Sequence, residues 1–152
     1  MNSRMILTAL SLIGLSATAC NAGPHVGGDW QVSISVVDAN GATESFAGSM
    51  EVSQLFNGFE GEGSVNGVGG ATCIQYFDIS GSSLDDVYIP TKLKFTTNSC
   101  TASSSLLSGE TDIDLYALED GDVLTGHRDY IAIENDGTAE YRMYFSASSF
   151  PY

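Results

Sequence analysis

The sequence predicts an all-β fold, an eight-stranded antiparallel up-and-down barrel, with a β-sandwich as the alternative. Short runs rich in Val, Ile, Thr, Phe and Tyr alternate with Gly, Asn, Asp and Ser, and hardly any segment has the 3.6-residue period of a helix. No connection is long enough for a parallel βαβ unit. We therefore expect the strands to pair antiparallel and in sequence order.

Eight segments have the length and composition of strands. They are residues 29–37, 44–56, 59–65, 71–80, 87–97, 110–118, 123–133 and 139–147. The connections contain residues that tolerate positive φ, among them Asn57-Gly58 and Asn66-Gly67. A barrel is favoured over a sandwich because closure removes edge strands, and Gly61 and Gly63 would let the third strand bend sharply.

The fifth and sixth predicted strands carry a charge pattern that predicts their register. Two lysines alternate with apolar residues on one strand, and two aspartates do so on the other. The expected cross-strand pairs are Lys94 with Asp112, Lys92 with Asp114, and Leu93 with Ile113. This pairing puts the charges outside the barrel and the apolar side chains inside.

The N-terminus has the pattern of an export signal. Arg4 precedes an apolar run over residues 5–15, and small residues lead to Cys20. The segment resembles a bacterial lipoprotein signal, which implies cleavage before Cys20 and attachment of acyl chains such as palmitate to that cysteine. We therefore divide the chain into a signal peptide (1–19), a lipidated tether (20–27) and one β domain (28–152).

The cysteine count bears on that signal. Ala17-Thr18-Ala19 also fits ordinary secretory cleavage, which would leave Cys20 as a free thiol. Acylation of Cys20 is favoured because it leaves Cys73 and Cys100 as one pair, for which a disulfide is expected in an oxidising compartment. Asn21 after the acylated residue implies sorting to the outer membrane, by the same resemblance.

The charge restricts the partners. The chain has a formal net charge of −14, and removal of the signal takes away Arg4 and no acid, which gives −15. Nucleic acid and anionic lipid headgroups are poor partners for such a surface. The acidity is typical of a solvated surface, and we expect the membrane to be contacted through the N-terminal lipid anchor.

No residue pattern predicts a catalytic, cofactor or metal site. The pairs Glu60 and Glu62, and Asp112 and Asp114, alternate with Gly or apolar residues, as on a solvated strand face. His127 and Asp129 share one face of the seventh strand. That face forms a polar patch inside the barrel mouth if it points inward, and a surface pair if Leu124 and Tyr130 point inward instead.

Gly28-Asp29-Trp30 opens the first predicted strand and matches the G-x-W motif of lipocalins and related calycins. The resemblance implies an eight-stranded barrel with Trp30 packed across its closed end. It also implies a basic side chain from the last strand over the Trp30 ring, and Arg142 is the candidate. Some exported bacterial protease inhibitors are similar barrels that begin with this motif.

We expect a non-enzymatic envelope protein that binds a small apolar or amphipathic ligand or has a structural role. The predicted interior residues are Trp30, Ile34, Leu93, Phe95, Ile113 and Leu115. The candidate ligand contacts are Trp30, Phe95, His127 and Asp129. The alternative is a protein-binding module, such as an inhibitor of a protease or lysozyme. A filled interior would favour this alternative, because eight strands lie at the border between packed and hollow barrels.

Overall fold

The computed structural model describes residues 23–68, 74–83, 88–96, 107, 109–118, 121–134 and 137–150. The strands are β1 (Gly28–Asp38), β2 (Thr43–Leu55), β3 (Gly58–Gly67), β4 (Ile74–Ser82), β5 (Tyr88–Phe95), β6 (Gly109–Leu118), β7 (Val123–Glu134) and β8 (Gly137–Ser149). None of the described segments is a helix with the length and apolar character needed to cross a membrane.

The eight strands form one closed barrel in which each strand pairs antiparallel with its sequence neighbours. β8 returns to β1, and their ladder runs from Trp30 opposite Ser149 to Asp38 opposite Tyr141. Closure gives the first and last strands a partner on both sides, which removes the edges of the sheet. The predicted up-and-down barrel is confirmed, and the sandwich is excluded.

The two ends of the barrel differ in what they carry. β1, β3, β5 and β7 begin at one end, which we call the Trp30 end, and the other four strands finish there. The opposite end, which we call the far end, carries the β1–β2 and β7–β8 connections.

Strict alternation along the strands builds the core. In β5, Ile89, Leu93 and Phe95 are buried while Lys92 and Lys94 between them are exposed. The largest fully buried side chains are Trp30, Phe46, Phe77, Phe145, Ile34, Ile79, Ile89, Leu93, Leu107, Ile113, Leu115 and Met143. All six predicted interior residues are therefore in the core, because a period of two fixes the face of each residue.

The β2–β3 turn differs from the sequence prediction. Asn57-Gly58 was the expected turn pair, but Gly58 pairs with Leu55, and the connecting residues are Phe56 and Asn57. Phe56 has a φ of 56°. A non-glycine residue in this left-handed region costs of order 1–3 kcal/mol, and the Phe56 side chain remains 88% exposed. The turn thus holds an aromatic residue whose side chain makes little contact with the barrel.

The β5–β6 register is shifted by two residues from the predicted one. Lys92 lies opposite Asp112 and Lys94 opposite Glu110, so the specific predicted pairs, including Leu93 with Ile113, are wrong. Each of these residues still lies on its predicted side of the sheet, because a shift of two residues does not change the direction in which a side chain points. The observed register places Tyr88 opposite Tyr116, where the rings meet edge to face.

The chain before β1 closes the Trp30 end. Val26 is buried, its carbonyl accepts a hydrogen bond from Trp30 Nε1 (3.0 Å), and its N–H donates to Gln54 Oε1 (2.6 Å). A Cβ placed on Gly121 would lie 3.5 Å from the Pro24 Cβ. Because Gln54 on β2 and Gly121 before β7 lie on different sides of the barrel, residues 23–27 cross its opening. We call them the N-terminal strap, and the packed core begins with Val26.

Cys20, Cys73 and Cys100 lie outside the described residues. The acylation of Cys20 and the disulfide between Cys73 and Cys100 therefore stay predictions.

Candidate functional site

The two aromatic residues predicted to contact an interior ligand are packed among other side chains. Trp30 is 2% exposed and lies under the N-terminal strap. Phe95 is 8% exposed and packs against Phe77, with the ring centroids 6.1 Å apart. Both residues therefore belong to the hydrophobic core.

Glycines on the inner face show how closely that core is packed. A Cβ added to Gly63 would lie 2.5 Å from Phe77 Cζ and 2.8 Å from Met50 Cβ. A Cβ added to Gly81 would lie 2.6 Å from Phe59 Cζ. These distances are shorter than the contacts that Cβ atoms make in real proteins. The phenylalanine rings therefore occupy the space that a side chain at either glycine would need. This part of the interior is filled, and Gly63 and Gly81 stand where a side chain would not fit.

His127 and Asp129 lie on the outer surface. Both side chains are exposed, while Leu124 on the same strand is buried. His127 packs against Tyr144 with ring centroids 6.0 Å apart. Neither residue lines the interior, so the inward alternative for this face does not occur.

Arg142 pairs with Asp129 and not with Trp30, so the predicted cation–π contact is wrong. Arg142 lies opposite Val37 at the far end of the barrel, whereas Trp30 lies opposite Ser149. Its Nη2 donates to Asp129 Oδ2 (2.9 Å) and its Nε donates to Oδ1. This hydrogen-bonded pair lowers the pKa of Asp129 and raises that of Arg142. The β8 register separates Arg142 from Trp30, and the strap covers Trp30 instead.

A row of four acidic residues crosses the outer surface of β1 to β4. Direct cross-strand neighbours are Asp29 and Glu51, Glu51 and Glu62, and Glu62 and Asp78. All four are exposed. We call them the acidic row. Like charges directly opposite each other destabilise a sheet. The acidic row therefore does not stabilise the barrel, and its presence needs another reason.

Cations adjoin the acidic row at its β5 end. Asp78 lies opposite Lys94, and Lys94 opposite Glu110. Lys92 Nζ is 2.7 Å from Glu110 Oε1, and this bond lowers the pKa of Glu110 and raises that of Lys92. The neighbouring Tyr88 donates to Asp114 Oδ1 (2.7 Å), which raises the pKa of Tyr88. The β5–β6 surface therefore sets two lysines among three carboxylates, whereas the acidic row has Lys94 only at its Asp78 end and is left largely uncompensated.

Two open grooves meet at the acidic row, and Glu51, Glu62 and Asp78 line both. The larger groove has a volume of about 790 Å³ and is also bordered by Tyr76 and Phe150. The smaller groove has about 520 Å³ and also includes Glu60. The arrangement offers negative charge beside exposed aromatic rings, which suits contact with a cationic surface.

A metal site is not evident in the described part of the chain. No group of three or more His, Cys, Asp or Glu side chains is placed there to hold an ion. Glu60 and Glu62 lie on the outer face, as their alternation with glycine predicts for a solvated strand.

The acidic row was missed because it exists only across strands. Glu62 was considered with Glu60 on its own strand, but its closest acidic neighbours are Glu51 and Asp78 on the adjacent strands. The expected Asn57-Gly58 turn would place Glu51 opposite Ser64, so the sequence offered no signal for this pair. Once Leu55 pairs with Gly58, the antiparallel register places Glu51 opposite Glu62.

Comparison of the sequence with models of known protein families gives no match, and no similar sequence is found among curated proteins.

Proposed function

We propose that this chain is a lipid-anchored, non-enzymatic envelope protein whose acidic outer face binds a cationic protein partner. The observation that carries the proposal is the combination of a closely packed interior at β3 and β4 with a largely uncompensated acidic row outside it. A filled barrel offers recognition through its surface, whereas an apolar ligand needs an enclosed apolar cavity.

The anchor follows from the N-terminal sequence. Acyl chains on Cys20 would hold the domain at a membrane, and Asn21 favours the outer membrane. More than one chain is needed for stable anchoring, because each buried methylene contributes only about 0.8 kcal/mol. Cys20→Ser should release the protein from the membrane without unfolding the barrel.

The chemistry of the partner follows from the acidic row. Four carboxylates beside Tyr76 and Phe150 favour a basic protein surface. A basic hydrolase such as a lysozyme or a protease has this character, which would make the chain an inhibitor. Because the charges are exposed, the association should be fast and should weaken with salt.

The absence of an enzymatic role is part of the same proposal. Asp129 is held by Arg142, and His127 packs on Tyr144 at the surface. General acid–base catalysis requires carboxylates whose pKa values are driven apart in a shielded site, and this pair lies in the open.

A photo-crosslinking experiment in the host tests the partner. The crosslinking amino acid p-benzoylphenylalanine replaces Tyr76, which is 50% exposed in the larger groove. The matched control places it at Tyr144, which is 45% exposed on the opposite part of the barrel. We expect a discrete protein adduct from position 76 and none from position 144. The variant Glu51→Gln/Glu62→Gln should weaken the adduct.

The same preparation distinguishes the competing hypothesis. Native mass spectrometry of the purified protein would show a bound small apolar molecule if the barrel holds a ligand. Such a molecule, with no adduct from position 76, would refute the protein-binding proposal. Equal adducts from both positions would refute the role of the acidic row.

A further inference from the structure

We propose that the Trp30 end of the barrel lies against a zwitterionic phospholipid bilayer, with the Leu55–Phe56 hairpin tip inserted among the lipids. This inference rests on the proposed anchoring at Cys20 and adds the orientation of the domain and a second membrane contact.

The hairpin tip has the properties of a membrane-inserting segment. Leu55 is 75% exposed and Phe56 is 88% exposed at the outermost point of the β2–β3 turn. The tip from Gln54 to Gly58 carries no charge. The two-residue turn accounts for the positive φ of Phe56, and it directs the side chain away from the barrel, where it packs on little of the protein.

The chain that leads to the anchor leaves from the same end. The N-terminal strap crosses the Trp30 end from Gln54, beside the hairpin tip, to Gly121. Only two residues, Asn21 and Ala22, separate Gly23 from Cys20, so the acylated cysteine can be no more than about 11 Å from Gly23. Such a short connection forces the Trp30 end to stay close to the bilayer.

Two contacts on different sides of the opening would fix the tilt of the barrel. The strap reaches Gly121, where Leu118 is also exposed, and the hairpin tip lies beside Gln54 on another side of the opening. Exposed Asp29 and Asp122 border this end and would be repelled by anionic headgroups. The charge pattern therefore selects phosphatidylcholine or phosphatidylethanolamine over phosphatidylglycerol.

Fluorescence of the mature, acylated protein in vesicles tests the orientation. The chain has one tryptophan, Trp30, which is buried and gives a constant background. A reporter is introduced as Phe56→Trp, and the matched control is Ile131→Trp, because Ile131 is 66% exposed on β7 away from the Trp30 end. The vesicles contain phosphatidylcholine with brominated acyl chains, which quench tryptophan on contact.

We expect quenching and a blue shift for the Phe56→Trp protein and neither change for the Ile131→Trp protein. In the Cys20→Ser background, Leu55→Ser/Phe56→Ser should lower the residual binding to vesicles about tenfold or more. The control variant Val68→Ser/Ile131→Ser should leave this binding unchanged.

Flotation of the vesicles separates the two proposals. If the acylated protein floats with the vesicles but the Phe56→Trp reporter is not quenched, the orientation is refuted and the anchoring stands. If the protein does not float, the anchoring is refuted, and the orientation with it. If sedimentation shows a dimer that Leu55→Ser/Phe56→Ser dissociates, the tip contacts a second copy and the membrane inference is overturned.

Discussion

Replacing Gly63 with alanine tests whether the interior is filled at β3. Gly63 has no positive φ, so its backbone conformation accepts alanine. The added Cβ would lie 2.5 Å from Phe77 Cζ and 2.8 Å from Met50 Cβ. Met50 Cβ is fixed by the backbone of β2, and the Phe77 ring is surrounded by core side chains. The strands or the ring must therefore move.

The expected loss of stability is the difference between two effects. Overpacking a core typically costs about 1–3 kcal/mol. Reducing the freedom of the unfolded chain by Gly→Ala returns about 0.4–1 kcal/mol. We expect Gly63→Ala to lower the free energy of unfolding by roughly 0.5–2 kcal/mol.

Urea denaturation measures this loss, with Gly58→Ala as the matched control on the same strand. A Cβ on Gly58 would meet only Leu55 O, at 3.8 Å, so this variant should be neutral or slightly stabilised. Phe77→Leu should lower the free energy of unfolding less in the Gly63→Ala protein than in the native protein. The smaller leucine makes room for the new methyl group of Ala at position 63. A Gly63→Ala protein as stable as the native one would refute the filled interior and favour the ligand-binding alternative.

Three further predictions concern other parts of the barrel. Trp30→Ala should lower the free energy of unfolding in urea by about 3–5 kcal/mol, because it leaves a cavity and removes the donor to the Val26 carbonyl; an unchanged urea midpoint would contradict the packing of the strap. The pKa of Asp129 is lowered by Arg142, so this pair stabilises the fold above the unfolded pKa of Asp, and the stabilisation disappears as the pH falls below about 4. Asp129→Asn should reduce the acid sensitivity of the urea midpoint, and an identical pH profile would show that the pair contributes nothing. Glu62→Gln should raise the midpoint at low salt and have less effect at high salt, since it removes like-charge repulsion from both adjacent strands; a lower midpoint would show that the carboxylate is stabilising.

The sequence by itself determined the strands and their faces. Leu93 and Ile113 were correctly placed inside and Lys92 and Lys94 outside, because the alternation of a strand is a local property with a period of two. The G-x-W motif indicated the position of Trp30 in the core. A closed barrel was favoured over the β-sandwich, because eight sequential strands have few ways to bury one apolar face each, and the structure decided between the two.

Only the tertiary structure decided which residues meet across strands. Lys92 lies opposite Asp112 rather than Asp114, a shift of two residues that the alternation of charged and apolar residues does not distinguish. Arg142 was directed to Asp129 by the β8 register. The acidic row and the strap over Trp30 also join residues distant in the chain. Local pattern fixes a residue's face, but its neighbours depend on the register and closure of the whole sheet, and here those neighbours create the candidate site.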